Sequence, residues 1–89
     1  MMTFRIDATA GARGVAFRLI GRIQRENVRD LEEQIAAASR SVVLDLDEVT
    51  LVDVDVVRFL KDAEGAGVEL RNCPAFIRTW IETERGAGR

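Results

Sequence analysis

Histidine and tyrosine are absent from this 89-residue chain, and cysteine and proline occur once each. Without imidazole there is no Cys/His zinc site and no triad or base that depends on histidine. A lone Cys73 excludes an intrachain disulfide and fits a reducing compartment. No apolar run approaches the ~20 residues of a membrane span, so no membrane insertion is expected. The N-terminal stretch from Met1 to Ala10 carries Arg5 and Asp7 and lacks the apolar centre of a signal peptide. The chain also lacks a strong charge excess: 13 basic residues face 15 acidic ones, for a net charge of −2. That balance argues against a general nucleic-acid or anionic-membrane binder. What is present is a globular composition, 47% apolar and 31% charged. The expectation is a single cytoplasmic domain over 1–89, of bacterial type, burying roughly 60–65% of its unfolded surface.

Periodicity divides the chain into seven elements. From Thr3 to Ala8, Phe4, Ile6 and Ala8 alternate with Arg5 and Asp7, which predicts a half-buried strand. After the turn segment Ala10–Gly14, a second alternating run from Val15 to Ile23 completes a hairpin. Asn27 stands where an N-cap would start a helix, with Asp30 as a weak capping-box partner and Val28, Leu31 and Ile35 as its apolar stripe. A Ser-Arg-Ser break at 39–41 leads to the β-branched strand Ser41 to Asp47. A loop then reaches Asp53, which can cap a second helix striped by Val56, Val57, Leu60 and Ala63. Gly65-Ala66-Gly67 ends it, and Val68 to Arg71 forms a short edge strand. Cys73-Pro74 opens a third helix with Pro at its first position and Phe76, Ile77, Trp80 and Ile81 as its stripe; Gly86-Ala87-Gly88 frays.

The order is β-β-α-β-α-β-α. Right-handed crossovers between sequential parallel strands place the helices on one face of a mixed four-stranded α/β sheet. Arg5, Asp7, Arg18, Arg22, Asp45, Glu69 and Arg71 then fall on the open face.

The near-neutral total hides a segregation of charge. Residues 1–30 hold six basic and three acidic groups, residues 31–65 three and nine, and residues 66–89 four and three. The central segment, at −6, contains Asp45, Asp47, Glu48, Asp53 and Asp55 with no base between them. Asp47, Asp53 and Asp55 converging would suit a divalent cation. The simpler reading makes Asp53 a helix cap, Asp55 a first-turn acid favoured by the helix dipole, and Asp47 and Glu48 solvated residues.

The stretch Ser41-Val42-Val43-Leu44-Asp45-Leu46-Asp47-Glu48-Val49-Thr50-Leu51-Val52-Asp53 closely resembles the signature of STAS domains, the bacterial anti-sigma factor antagonists and related domains of sulfate transporters. Gly21-Arg22-Ile23 and Gly67-Val68-Glu69-Leu70 also fall where that family has them. The resemblance runs from about Phe4 to Ile81, and it implies that the last strand and helix of longer members are missing here. It implies helices on one face of a mixed sheet. It also implies a non-catalytic module that binds a protein through the segment containing Glu48, Thr50, Asp53, Val54, Asp55, Val56 and Arg58. In regulatory members a Ser-Ser-Gly-like segment follows the aspartate, and its second position is phosphorylated by a kinase that is also the anti-sigma factor. Here that segment is Val54-Asp55-Val56, so Asp55 occupies the acceptor position and Val56 the glycine position. A carboxylate cannot be phosphorylated by a Ser/Thr kinase. It carries one charge where phosphate carries about two. Asp55 is thus either a permanent partial phosphomimetic or a plain first-turn acid on a domain without the switch.

The family contains two partner classes, an anti-sigma or kinase-like protein and the ATPase of an ABC-type transporter. No cofactor is expected; a small ligand or divalent metal at the acidic loop is the alternative of another class. Cys73 reads as a small buried residue beside the third helix or, at a helix start, as a stabilised thiolate. Arg5, Arg18, Arg22 and Arg71 read as a solvated face. Ile20 and Val43 on that face are candidate homodimer contacts.

Overall fold

Alternation builds the sheet. In the computed structural model, which describes residues 4–38 and 41–87, the elements are β1 (Phe4–Ala10), β2 (Gly14–Ile23), α1 (Arg25–Ala38), β3 (Ser41–Val52), α2 (Val54–Gly65), β4 (Glu69–Arg71) and α3 (Ala75–Ala87). Thr3, the Ser39-Arg40 part of the predicted break, and Gly88 lie outside the described residues. The sheet order is β1-β2-β3-β4, with β1 antiparallel to β2 and the other neighbours parallel. This is the predicted topology. All three helices cover one face because both crossovers turn the same way.

The core lies between that face and the helices. Phe17, Leu19 and Ile23 enter it from β2, and Val42, Leu44, Leu46, Val49 and Val52 from β3. Leu31 comes from α1, Val56, Val57, Phe59 and Leu60 from α2, and Ile77 and Ile81 from α3. No polar or charged residue among those described is buried with them. Each such side chain contributes about 1.5–3 kcal/mol by leaving water.

Close backbone approach and a helix stop explain two glycines. A Cβ at Gly14 would collide with the Ser41 carbonyl oxygen, so only glycine lets β2 and β3 meet at this end. At the end of α2, the N–H of Gly67 donates to the Glu64 carbonyl (3.1 Å) and that of Val68 to the Ala63 carbonyl (3.0 Å), which is a Schellman stop. Gly67 has φ +106°, a conformation that disfavours a side chain.

Four local expectations need correction. The predicted loop between Asp47 and Asp53 is strand, and β3 runs unbroken to Val52. From Arg18↔Asp45 to Ile20↔Glu48, β2 advances two residues while β3 advances three; from Gly21↔Val49 to Arg22↔Leu51 the same slip recurs. Each extra residue is a bulge that returns an apolar side chain to the core, so buried positions step from Leu46 to Val49 to Val52. Second, Asn27 is not the N-cap of α1, which begins at Arg25. Its Oδ1 instead accepts from the Gln24 N–H (2.8 Å), the back-reaching half of a capping box. Asp30 instead accepts from Gln34 Nε2 at 3.5 Å. Third, Pro74 precedes α3, and its carbonyl accepts from the Arg78 N–H (3.0 Å), so it sits at the N-cap position. Fourth, Phe76 is 46% exposed, because the α3 stripe follows Ile77 and Ile81 with Trp80 at its margin.

Candidate functional site

The C-terminal end of β3 delivers Asp53 to the N-termini of two helices. Asp53 is extended (φ −104°, ψ 178°) and its Oδ1 accepts from the Val56 N–H at 3.1 Å, the predicted cap of α2. Its Oδ2 accepts from the Arg25 N–H at 2.8 Å, at the first residue of α1. Gln24 is a poor cap, so an orphan amide of α1 is satisfied by a carboxylate 28 residues away. One side chain therefore aligns two positive helix ends.

Asp55, two residues on, does none of this. It lies in the first turn of α2, half-buried, and lines an open groove of about 580 Å³ between α1 and α2. Arg25, Arg29 and Arg58 and the acids Glu32 and Asp62 line the groove with it, over Val28 and Phe59. The depression continues along Ile35, Ala36 and Ala63. Arg58 also reaches the opposite side of α2, where its Nε donates to Glu84 Oε1 at 3.0 Å.

The acidic segment is dispersed. Asp45 faces the open side of the sheet, where its Oδ1 accepts from the Asp47 N–H (3.0 Å) and from Asn72 Nδ2 (3.2 Å). The Asp47 amide, then Asn72, Arg18 and Arg71, hold its carboxyl below the usual range. Asn72 has φ 56°, a left-handed geometry that Asn tolerates. Among the described residues no three His, Cys, Asp or Glu side chains gather as a metal-ligand set. Both Asp53 oxygens are engaged by amides, so the metal reading of Asp47, Asp53 and Asp55 loses its central ligand.

Across the open face, Asp7, Arg18, Asp45 and Arg71 stand opposite one another on the four strands. The signs alternate, and Arg18 lies 3.8 Å from Asp45 and 3.4 Å from Glu48. The arginines are therefore balanced on this surface. Cys73 packs against the core, and burial pushes its thiol up, against the thiolate reading.

Neither a protein-family model nor a curated protein matches the sequence. Among solved structures, the chain is similar to the crystal structure of an antisigma-factor antagonist, a STAS domain from Rhodobacter sphaeroides. The TM-score is 0.57 at 22% identity, over 78% of this chain and 84% of that one. The fold is STAS-like.

On that STAS-like fold the expected contact residues divide. Glu48 and Thr50 are exposed on β3, and Arg58 is exposed on α2. Asp53, Val54 and Asp55 are half-buried at the junction. Val56 is fully buried in the core, so it cannot contribute to a contact surface, and the glycine position of the motif is a packing position here. Sequence reasoning missed the second bond of Asp53, Phe59 under the groove, and Leu51, exposed beside the junction. The double exposed steps Asp47-Glu48 and Thr50-Leu51 were the available signal for the bulged strand. No helix among the described residues is long and apolar enough to cross a membrane.

Proposed function

We propose that this domain is a non-catalytic regulatory module that binds a protein partner through the β3–α2 junction, in the manner of anti-sigma factor antagonists. The observation that carries the reading is the division of labour between two acids. Asp53 holds both helix ends, which leaves Asp55 without a capping duty at the mouth of the α1–α2 groove. Asp55 stands at the position that the STAS resemblance assigns to the phospho-acceptor. As a carboxylate it presents a constant negative charge beside a helix N-terminus, where a phosphate would also be favoured. The fold shared with a solved antisigma-factor antagonist supports the class. The proposed contact surface also takes in Glu48 and Thr50 on β3 and Val54 and Arg58 on α2. The mechanism is recognition of a fixed charge, with no covalent step on this chain.

The test is affinity capture from native cells with wild type, Asp55→Lys, Asp55→Ala and Asp55→Ser. A kinase-like or sigma-regulatory protein is expected with wild type, and its capture falls about tenfold or more with Asp55→Lys. Asp55→Ser becomes a substrate of the captured kinase. Equal capture by wild type and Asp55→Lys overturns the assignment of the surface. Capture of a transporter ATPase in its place moves the domain to an accessory role in transport.

A further inference from the structure

The two edges of the sheet are protected unequally. β4 is only three residues long and leads into α3. β1 runs for seven residues in continuous register with β2, without proline or bulge, and among the described residues its outer edge from Arg5 to Ala10 pairs with no strand. Such an edge is a template for another strand unless charge, bulges or shortness blunt it. Only two charges stand on β1, Arg5 and Asp7, and they are of opposite sign. Within the chain they form a surface pair at 3.0 Å, a kind of contact that is easily exchanged. On the core side Ile6 is only half-buried against the core.

We propose that β1 is a self-association edge. Two copies pair β1 antiparallel to β1 about a two-fold axis through Ile6, which joins the two sheets into one of eight strands. Charge selects that register. An isologous pair in a continuous sheet sets residues of the same face opposite each other, so the axis passes through a residue. An axis at Asp7 opposes Asp7 with its own copy, and one at Arg5 opposes two arginines. An axis at Ala8 sets Asp7 against Thr9 and leaves Arg5 unpaired. The axis at Ile6 sets Arg5 of each copy opposite Asp7 of the other and Ile6 against Ile6. It also extends the alternation Arg71, Asp45, Arg18, Asp7 by one more positive residue, Arg5 of the second copy. This interface uses neither Ile20 nor Val43, and it is separate from the β3–α2 junction.

Light scattering or sedimentation across a concentration series tests the proposal, with circular dichroism to verify folding of every variant. Wild type dimerises. Arg5→Asp and Asp7→Arg each place two like-charged pairs in the interface and weaken the dimer roughly thirtyfold. The swap Arg5→Asp/Asp7→Arg restores it, and a mixture of the two single variants forms a heterodimer. A wild type that stays monomeric throughout overturns the proposal, as does a dimer indifferent to both single variants. Folded singles that neither the swap nor mixing rescues overturn the register. Should Asp7→Arg fail to fold beside Arg18, Arg5→Asp decides alone: a dimer as strong as that of wild type overturns the proposal. Asp55→Lys leaves dimerisation intact, so failure here and failure of the partner reading are distinguishable.

Discussion

Helix α2 has two seams, and they are built differently. On the α3 side the seam is closed by Ile77 and Ile81 and by a cluster of ion pairs. Glu64 accepts from both terminal guanidinium nitrogens of Arg78 at 3.0 Å and from Arg85 at 2.7 Å, and Arg58 donates to Glu84. On the α1 side, among the described residues, no ion pair joins the helices, and a groove remains open over Val28 and Phe59. Only at its head is that seam tied, by Asp53. The difference separates a surface spent on stability from one left for recognition. Glu64 in the closed seam is already committed to two arginines, whereas among the described residues Asp55 in the open seam has no such pair.

Removing the tie at the head tests this contrast with the largest effect. Asp53→Ala loses both helix caps and should cost about 3 kcal/mol in urea unfolding, at ~1–2 kcal/mol per cap. That corresponds to a fall in Tm of roughly 12–24 °C for a domain of this size. Asp53→Asn keeps one acceptor oxygen and should fall between the two. A loss no larger than that of a surface substitution would show that the double cap does not hold the seam.

The closed seam comes next. Hydrogen bonds from Arg78 first, and its charge and Arg85 after that, hold the Glu64 carboxyl below its ordinary value of 4.5, against the opposing effect of burial. The ionised form is thus favoured in the folded state. Its contribution is complete above the unfolded-state value and fades as the pH drops through the lower folded-state value. Glu64→Gln should cost about 1 kcal/mol at neutral pH, a partly exposed network being worth little more. The gap to wild type should close in acid. A gap that widens in acid would contradict the role given to Glu64.

The smallest effect belongs to the open seam. Asp55→Ala should change stability by less than about 0.5 kcal/mol, since Asp53 already serves the helix end. A cost comparable to Asp53→Ala would erase the distinction between the two acids and turn Asp55 into a structural residue.

Much of this architecture was legible in one dimension. Alternation placed β1 and β2, helical spacing placed Leu31, Leu60 and Ile77 in the core, and Asp53 was readable as a cap. The bulges of β3 were not, because one inserted residue breaks a period-two pattern and imitates a loop. Asn27 misled because an Asn at N3 has the same composition signal as an Asn at the N-cap. Phe76 neighbours Ile77 in sequence, yet one residue rotates the side chain about 100° around the helix, which carries it off the apolar stripe.

Local chemistry in the sequence alone determined the order of elements, the apolar face of each strand and the stop of α2 at Gly67. These depend on residues within a turn or two of each other, where sterics and periodicity act. Only the tertiary structure decided that Asp53 serves two helices, that Val56 is core while Asp55 is half-buried, and that among the described residues no strand pairs with the outer edge of β1 from Arg5 to Ala10. Those facts depend on groups far apart along the chain that meet only when the sheet is assembled, and no local pattern records such a meeting.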